Sequence, residues 1–357
     1  MASRFFWSAK HARLAEMPTF DEARIDDPAA LVAHDTVLRT LAGAGARIRI
    51  EATDVEWPAS LGQLSSVDRP RGVVVAGAEA RLVRAVLEPV CPVPLVAWSL
   101  GGLPGWVGPL DLVVVLASDE AGQQSAALMA TVDEAVRRGA QLWLAAPSDS
   151  VLVGRGERAS VRIPTRTGDP LAAAVVVLEM FGRIGLGPAV NTVNAAEAAD
   201  MVAEACSPFR DLSNNPAKDL ACALGDAEPL IWGGSVLAGR AARRMAEAIR
   251  RCCGCHALAA DASEVIAVMQ HVAPRDVFAD PFENGTKRRE ALVMLDDAES
   301  DDLSEAITRE VISVATAMDV PIQRIASSHG SALDRYLTLL LHGLYAVAYL
   351  EVGLSDR

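Results

Sequence analysis

The sequence predicts an α/β protein in which helices cover parallel sheets and which is organised as two successive halves. Short β-branched runs alternate with longer segments of helical periodicity, the pattern of βαβ units. Hydrophobic residues make up 51% of the 357-residue chain but aromatic residues only 4%. The cores must therefore consist of Ala, Val and Leu, which suits buried parallel strands. The alternation of strands and helices then runs a second time after residue 190.

In the first half, four apolar runs are predicted to be strands and the segments around them helices. The predicted strands are Gly72–Ala76, Leu110–Leu116, Leu142–Ala146 and Ser160–Pro164, and the predicted helices are Ala80–Leu87, Gly122–Arg138 and Asp169–Phe181. The second of these helices ends on two arginines before Gly139. Cationic residues in the last turn and a glycine beyond it are typical of a helix C terminus.

The Gly/Pro/Asn-rich segment Gly185–Asn194 is the predicted boundary between the halves. We therefore expect a first domain over residues 1–190, with a helical segment at its N terminus, and a second domain over residues 191–357. In the second half the predicted strands are Pro229–Trp232, Ala291–Leu295 and Ile322–Ile325, and the predicted helices are Ala195–Ala205, Pro216–Leu224, Val236–Arg251, Leu303–Met318 and Ala332–Val352. No short-period repeat is visible, so the halves repeat an architecture, not a sequence.

Composition and charge restrict the partners and the compartment that we expect. The net charge of −13 disfavours nucleic acid and anionic membranes as partners. Met1–Pro18 lacks the uninterrupted apolar stretch of a signal peptide, and Leu337–Leu350 is too short or interrupted to span a bilayer. Six cysteines in a chain of this size without a secretion signal are typical of reduced thiols. We expect a cytoplasmic protein.

Two glycine-containing turns were weighed as phosphate sites. The turn after Gly77 has Glu79 and Leu82 where a dinucleotide-binding turn needs glycines, so no nucleotide and no cofactor are expected. The turn formed by Gly233, Gly234 and Ser235 lies between a strand and a helix start. Its backbone N–H groups and hydroxyl could hold one phosphate, or the serine could simply cap the helix. Local sequence favours the cap.

The remaining polar motifs indicate neither a metal site nor a hydrolase. Cys252–His256 contains three cysteines and a histidine, but no second Cys/His pair stands at ligand spacing, so no metal is expected. The chain has no G-x-S-x-G elbow. His271, His329 and His342 are isolated along the sequence.

Several segments carry a resemblance that covers most of the chain. In the first half they are RPRGVVVAG, CPVPLVAW, LPGWVGPLDLVVVL and VDEAVRRGAQL, within Arg69–Gly139; in the second half they are NNPAKDLACAL, PLIWGGSVLAGRAARRMAEAI and SALDRYLTLLLHGLYAVAYLEVGL. In this order they resemble the bifunctional phosphoglucose/phosphomannose isomerases of the sugar isomerase (SIS) domain family. The resemblance implies two tandem SIS domains, each a flavodoxin-like three-layer αβα unit with a parallel sheet, and a homodimer. A stripe of Tyr336, Leu340, Leu344 and Val347 on the last helix suits either core or dimer interface.

The family interconverts aldose and ketose phosphates by moving a proton between C1 and C2, which requires a phosphate clamp, a carboxylate base and a histidine. Its glycine-rich turn matches Gly77–Arg81, where only the first glycine remains. Its phosphate loop matches Ala117–Ser125, which keeps Ser118, Gly122 and Ser125 but adds two acidic residues. Carboxylates in a phosphate cradle repel the ligand, so this clamp is predicted to be lost or rebuilt.

The family's acid–base residues are also replaced. The position of the base falls on Arg251 and that of the histidine on Ala262, while the neighbouring Glu264 persists. A general base contributes roughly 10²–10⁴ in rate, so losing both groups should leave little isomerase activity. The alternative is that Glu264, with His256 or His271, has taken over proton transfer.

The resulting hypothesis is a protein that binds hexose 6-phosphates with eroded catalysis, acting as a sensor or as the partner of an active isomerase. The predicted ligand-binding residues are Ser118, Gly122, Ser125, Gly233, Gly234 and Ser235, and the candidate catalytic residues are Glu264 and His271. An active glucose 6-phosphate/mannose 6-phosphate isomerase with relocated groups and a purely structural subunit remain open.

Overall fold

The computed structural model describes residues 19–53, 69–117, 123–156, 160–273, 288–299 and 301–354. Within them the chain forms two parallel sheets. The first contains β1 (Val73–Gly77), β2 (Leu95–Trp98), β3 (Leu112–Leu116), β4 (Gln141–Pro147) and β5 (Ser160–Thr165), in the order β2-β1-β3-β4-β5. The second contains β6 (Ala227–Gly233), β7 (Leu258–Ala259), β8 (Arg289–Asp296) and β9 (Ile322–Ala326), in the order β7-β6-β8-β9. The two sheets therefore share one topology.

Helices surround both sheets. In the first half they are α1 (Pro28–Ala33), α2 (Asp35–Ala42), α3 (Ala44–Ala52), α4 (Ala80–Leu87), α5 (Gln123–Arg138), α6 (Val151–Arg155) and α7 (Pro170–Arg183). In the second half they are α8 (Thr192–Ala205), α9 (Pro216–Gly225), α10 (Val236–Ala248), α11 (Ala262–Gln270), α12 (Asp302–Ala317) and α13 (Ala332–Leu354). The short N-terminal helix α3 packs against both α7 and α8, so the N-terminal segment contacts elements on both sides of residue 190.

The predicted α/β class and the two parallel sheets are confirmed, and each predicted strand overlaps an observed one. Several elements were not predicted individually, among them β2, β7, α6 and α11. The edge strand β2 is only half-buried along its length, and β7 has two residues, so neither leaves a long apolar run in the sequence. The helix α11 is short and only partly buried, and its N terminus is fixed by a capping box that joins Asp261 to Glu264.

One predicted helix is shorter than expected. The segment Val236–Arg251 was predicted to be continuous, but α10 ends at Ala248 and a wider π-helical turn follows over Ile249–Cys253. The turn ends at Gly254, whose φ of 64° is in the left-handed region that favours glycine. This turn carries Arg251, the residue that the resemblance assigns to the position of the family's base.

The largest core cluster joins the two halves. In the first sheet, Val73 and Val114 are fully buried, and Trp143 packs against Phe181 of α7 with their ring centroids 5.5 Å apart. Helix α7 is Ala- and Val-rich, as the low aromatic content required. The core is thus built of small aliphatic side chains packed between parallel strands and helices.

The last helix, α13, lies in this core. Within the described chain it is the one helix long and apolar enough to cross a membrane, and 78% of its most apolar window is buried by other parts of the protein. Of the stripe that suited either core or interface, Tyr336, Leu340 and Val347 are at most 3% exposed and Leu344 packs against the core. The stripe is therefore core.

Candidate functional site

The turn after β1 is fixed by backbone contacts. Gly77 has a φ of 119°, and a Cβ at this position would lie 2.0 Å from the carbonyl oxygen of Leu116 on β3. Glycine is therefore required at this strand end. Glu79, two residues later, is only 8% exposed, and the guanidinium of Arg244 on α10 donates to both of its carboxylate oxygens at 2.8 Å. The carboxylate joins the two halves.

A cavity of about 770 Å³, here called the first-half pocket, lies over the carboxyl ends of β1 and β2. Helix α5, which follows β3, forms another wall. In this strand order the chain reverses direction between β1 and β3, and ligands of open α/β sheets bind at such a switch point. The charged residues that line the pocket within the described chain are Arg81 and Arg84 of α4 and Glu247 of α10.

These charges are partly satisfied by one another. Glu247 accepts from Arg81 at 2.5 Å and from Arg251 at 2.6 Å. The hydrogen bond from Arg81 is the main reason that the pKa of Glu247 lies below its usual range, so the carboxylate is ionised at neutral pH. Arg84 donates to Glu88 at 2.6 Å on the same helix. A guanidinium has five donors, so both arginines keep N–H groups for a ligand.

The turn after β6 forms the second predicted phosphate site. A Cβ on Gly233 would lie 2.3 Å from the carbonyl carbon of Ala238, so close packing of α10 against the strand end requires this glycine. The Ser235 hydroxyl accepts from the Ala238 N–H at 3.0 Å and donates to Asp297 at 2.9 Å. The serine therefore caps α10, as the simpler interpretation predicted, and its proton goes to a carboxylate.

That carboxylate lies deep in the fold. Asp297 is 3% exposed, and burial raises its pKa despite the hydrogen bond from Ser235. A buried carboxylate that accepts the serine proton makes this hydroxyl a poor donor to an incoming phosphate.

Two further cavities adjoin the Gly233–Ser235 turn. The second-half pocket, of about 320 Å³, lies over the ends of β6 and β7 and is lined by Arg240, Arg243 and Asp261 among others. The inter-half cleft, of about 740 Å³, lies on the other side of the turn, between the C-terminal end of α4 and the start of α13, and includes Asp297.

The residues predicted from the family's phosphate loop are not brought together in the described structure. Ser118 and Gly122 lie outside the described residues, and Ser125 is half-buried in the first turn of α5. Ser125 does not line any of these three cavities.

The predicted catalytic residues lie at opposite ends of α11. Glu264 is exposed and accepts from the N–H of Asp261 at 3.4 Å, as part of the capping box. His271 ends the helix, with Nδ1 2.7 Å from the carbonyl oxygen of Ala267. Seven residues of helix separate the two along the axis by about 10 Å. Neither lines the first-half pocket, the second-half pocket or the inter-half cleft, and their role in proton transfer stays a prediction.

Sequence reasoning missed the pocket residues Arg81, Arg84 and Glu247. A signal was available: Arg81 and Arg84 stand three apart on the helix after the first strand, and therefore on one helix face. Glu247 stands one helical turn before Arg251 and reaches the same surroundings as the position assigned to the base.

The three cavities contain neither a histidine nor a cluster of metal ligands among the described residues. No described histidine lines the first-half pocket, the second-half pocket or the inter-half cleft. Across the same ranges, no group of three or more His, Cys, Asp or Glu side chains is placed to hold a metal ion. Cys252 is exposed and Cys255 is buried, with burial raising the pKa of the Cys252 thiol.

Comparisons with known proteins agree with this geometry. The sequence of residues 213–353 matches the bacterial phospho-glucose isomerase C-terminal SIS domain. No curated protein matches the chain in sequence.

Among solved structures, the fold is similar to the C-terminal domain of glucosamine-fructose-6-phosphate aminotransferase from Francisella tularensis. The TM-score is 0.60 and the sequences are 12% identical, and the match covers 88% of this chain and 94% of that one. It is also similar to tagatose-6-phosphate ketose/aldose isomerase from Escherichia coli, with a TM-score of 0.59, 9% identity and 94% coverage of both chains. A putative phosphosugar isomerase from Silicibacter pomeroyi has a TM-score of 0.55, 16% identity, and coverage of 92% and 95%. Residues 213–353 therefore match the bacterial phospho-glucose isomerase C-terminal SIS domain, and the fold of the chain as a whole is similar to that of these solved structures.

Proposed function

We propose that the chain binds a hexose 6-phosphate in the first-half pocket and does not isomerise it. The observation that carries the proposal is the pair of guanidinium groups, Arg81 and Arg84, in a cavity of about 770 Å³ at the switch point of a SIS-type sheet. Guanidinium groups match the geometry of phosphate oxygens, and cavities of this size accept small organic ligands. The solved structures with this fold include proteins named for 6-phosphate sugars.

The arginines can replace the family's phosphate loop. The family's clamp uses backbone and hydroxyl donors, whereas α4 offers two cations three residues apart on the wall of the pocket. Glu79, which would repel a phosphate if it faced the pocket, is held by Arg244. The acidic residue at the former glycine position is therefore compatible with an anionic ligand next to it.

The proton-transfer couple that isomerisation needs is not assembled by the described residues. Arg251, at the position of the base, is a cation paired with Glu247. No described histidine borders the pocket. Binding without turnover is therefore the function that this arrangement supports best.

The test is isothermal titration calorimetry with glucose, fructose and mannose 6-phosphates. We expect Arg84→Gln to weaken binding by about 10- to 100-fold, because a hydrogen bond to a charged group is worth about 1.5–3 kcal/mol. The matched control is Arg137→Gln, which removes the same charge from the exposed surface of α5 and pairs only with a neighbour on its own helix. Equal affinity of the wild type and Arg84→Gln would contradict the proposal, as would no binding at millimolar concentrations.

A second candidate function is an active aldose–ketose isomerase, and Glu247 is the observation that favours it. It is the carboxylate that lines the first-half pocket within the described chain, and it is ionised. Such a base would take the proton from C2 of the aldose to form an enediol and return it to C1. A coupled assay showing turnover that Glu247→Gln abolishes, while Glu264→Gln leaves it unchanged, would establish this function.

The domain boundary at residue 190, the cytoplasmic location and the homodimer remain predictions. Because the α13 stripe is buried within the chain, a dimer would need another surface. Size-exclusion chromatography with light scattering would show whether the protein pairs. A structural subunit is expected instead if no sugar phosphate binds and the protein co-purifies with a catalytic relative.

A further inference from the structure

The second-half pocket repeats the arrangement of the first-half pocket. Each lies over the carboxyl ends of the first two strands of its sheet and is bordered by the helix that follows the first strand. Each helix contributes two arginines that stand three residues apart: Arg81 and Arg84 on α4, and Arg240 and Arg243 on α10. The same type of charged wall therefore occurs in both halves.

The cations of the second-half pocket are incompletely neutralised. Arg243 lies 3.4 Å from Asp261, and their side chains are 51% and 79% exposed, so this pair is weak. Arg240 donates to Glu88 of the first half at 2.6 Å. Asp261 also supports the capping box of α11. Each guanidinium thus has one carboxylate partner, which is distant for Arg243 and shared with Arg84 for Arg240.

The walls leave room beside these arginines. A Cβ on Gly239 would meet nothing closer than the Gly233 carbonyl oxygen at 3.6 Å, an ordinary contact, so packing does not require this glycine. The volume of about 320 Å³ is less than half that of the first-half pocket. It suits a phosphoryl group with a short carbon chain.

We propose that the second-half pocket is a separate binding site for a small phosphate monoester, held by Arg240 and Arg243. The phosphoryl group lies between the two guanidinium groups, and Asp261 releases Arg243 to it. Bidentate contacts from arginine to phosphate oxygens are shorter and stronger than a 3.4 Å surface pair. The exchange therefore favours the ligand.

Glu88 links the two pockets. Its Oε1 accepts from Arg84 and its Oε2 from Arg240, each at 2.6 Å. A phosphate that draws Arg240 away leaves Glu88 to Arg84 alone, and that carboxylate then competes more strongly for the arginine of the first-half pocket. Because binding linkage is reciprocal, occupation of either pocket weakens the other.

The site is tested in the Arg84→Gln protein, in which one of the two first-half arginines is removed. Calorimetric titration with inorganic phosphate and with glycerol 3-phosphate is expected to give one saturable site per chain. Adding Arg243→Gln should weaken it at least about tenfold, whereas adding Arg137→Gln should not. Binding that Arg243→Gln leaves unchanged, or no binding of either probe, overturns the proposal. Tighter binding of the ester than of phosphate identifies a monoester site, and equal binding identifies a site for the phosphoryl group alone.

The competition of Glu88 for Arg240, on which the link depends, is tested in the same background. With Arg84 already replaced, Glu88→Gln removes the remaining competitor for Arg240 and should tighten phosphate binding by about fivefold or more. Unchanged affinity would overturn the role of Glu88. Failure of the proposed function would be seen in a separate comparison, in which the wild type and Arg84→Gln bind hexose 6-phosphates equally well. Arg243 is not altered in that comparison.

Discussion

The pair of Glu79 and Arg244 is expected to be the strongest charged contact between the two halves. The two side chains are 10% and 15% exposed and make two parallel hydrogen bonds of 2.8 Å. Burial alone would lower the pKa of Arg244, but the hydrogen bonds and charge of Glu79 outweigh it and raise that pKa. Arg244 is therefore charged at neutral pH, and each side chain depends on the other for compensation.

Removing one partner leaves an uncompensated buried charge. Arg244→Met or Glu79→Leu alone should lower the free energy of unfolding by about 3–5 kcal/mol. The double variant removes both charges and replaces them with apolar side chains of similar length, so its cost should be much smaller than the sum of the two. The expected coupling energy is therefore at least about 2 kcal/mol.

The assay is urea-induced unfolding of the wild type, both single variants and the double variant, combined in a double-mutant cycle. The control cycle uses Asp35 and Arg39 on α2, whose side chains are 50% and 79% exposed and which should show no measurable coupling. Single effects at Glu79 and Arg244 that add within about 0.5 kcal/mol would refute the reasoning. They would show that the two charges are solvated and that the pair does not join the halves.

Two other predictions concern the strand-end turns. Gly77→Ala should destabilise the protein by at least about 1–3 kcal/mol in chemical denaturation, because of its φ of 119° and the 2.0 Å approach to Leu116. Gly154→Ala, in a helix with nothing within 4 Å, should be neutral or stabilising, and equal effects of the two would contradict this reasoning. Asp297→Asn should be more stable than the wild type at neutral pH, because the raised pKa of Asp297 means that folding disfavours its ionised form. That advantage should vanish as the pH falls below the ordinary aspartate pKa of 3.8, where Asp297 is protonated in both the folded and the unfolded state. Thermal melts across this pH range measure the stability difference between the variant and the wild type. A difference that stays the same at every pH would contradict the prediction.

Local sequence was informative wherever a segment's own pattern determined its structure. The valine run of Val73–Gly77 and the helix Ala80–Leu87 were predicted within one residue of their observed bounds. A buried strand is recognised by a short continuous run of β-branched residues, and an amphipathic helix by the spacing of its apolar residues. The edge strand Leu95–Trp98 was missed because a half-buried edge has no apolar run to recognise.

The contacts of the candidate site residues, in contrast, could not be predicted from local sequence. Ser235 could be read in two ways from its neighbours, and only the buried carboxylate of Asp297, 62 residues further along the chain, shows where its proton goes. Glu264 and His271 were chosen for their chemistry, but a helix separates them and each is hydrogen-bonded to its own helix.

The sequence by itself determined the α/β class, the two halves and the small aliphatic core, because these depend on hydrophobic periodicity and composition along the chain. The tertiary structure decided which charges face a cavity. Glu79 would repel a phosphate by its position in the turn, yet it is held by Arg244, 165 residues away, while Glu247 reaches into the pocket of the other half. Contacts of this kind depend on how the two halves pack, and no local pattern encodes that packing.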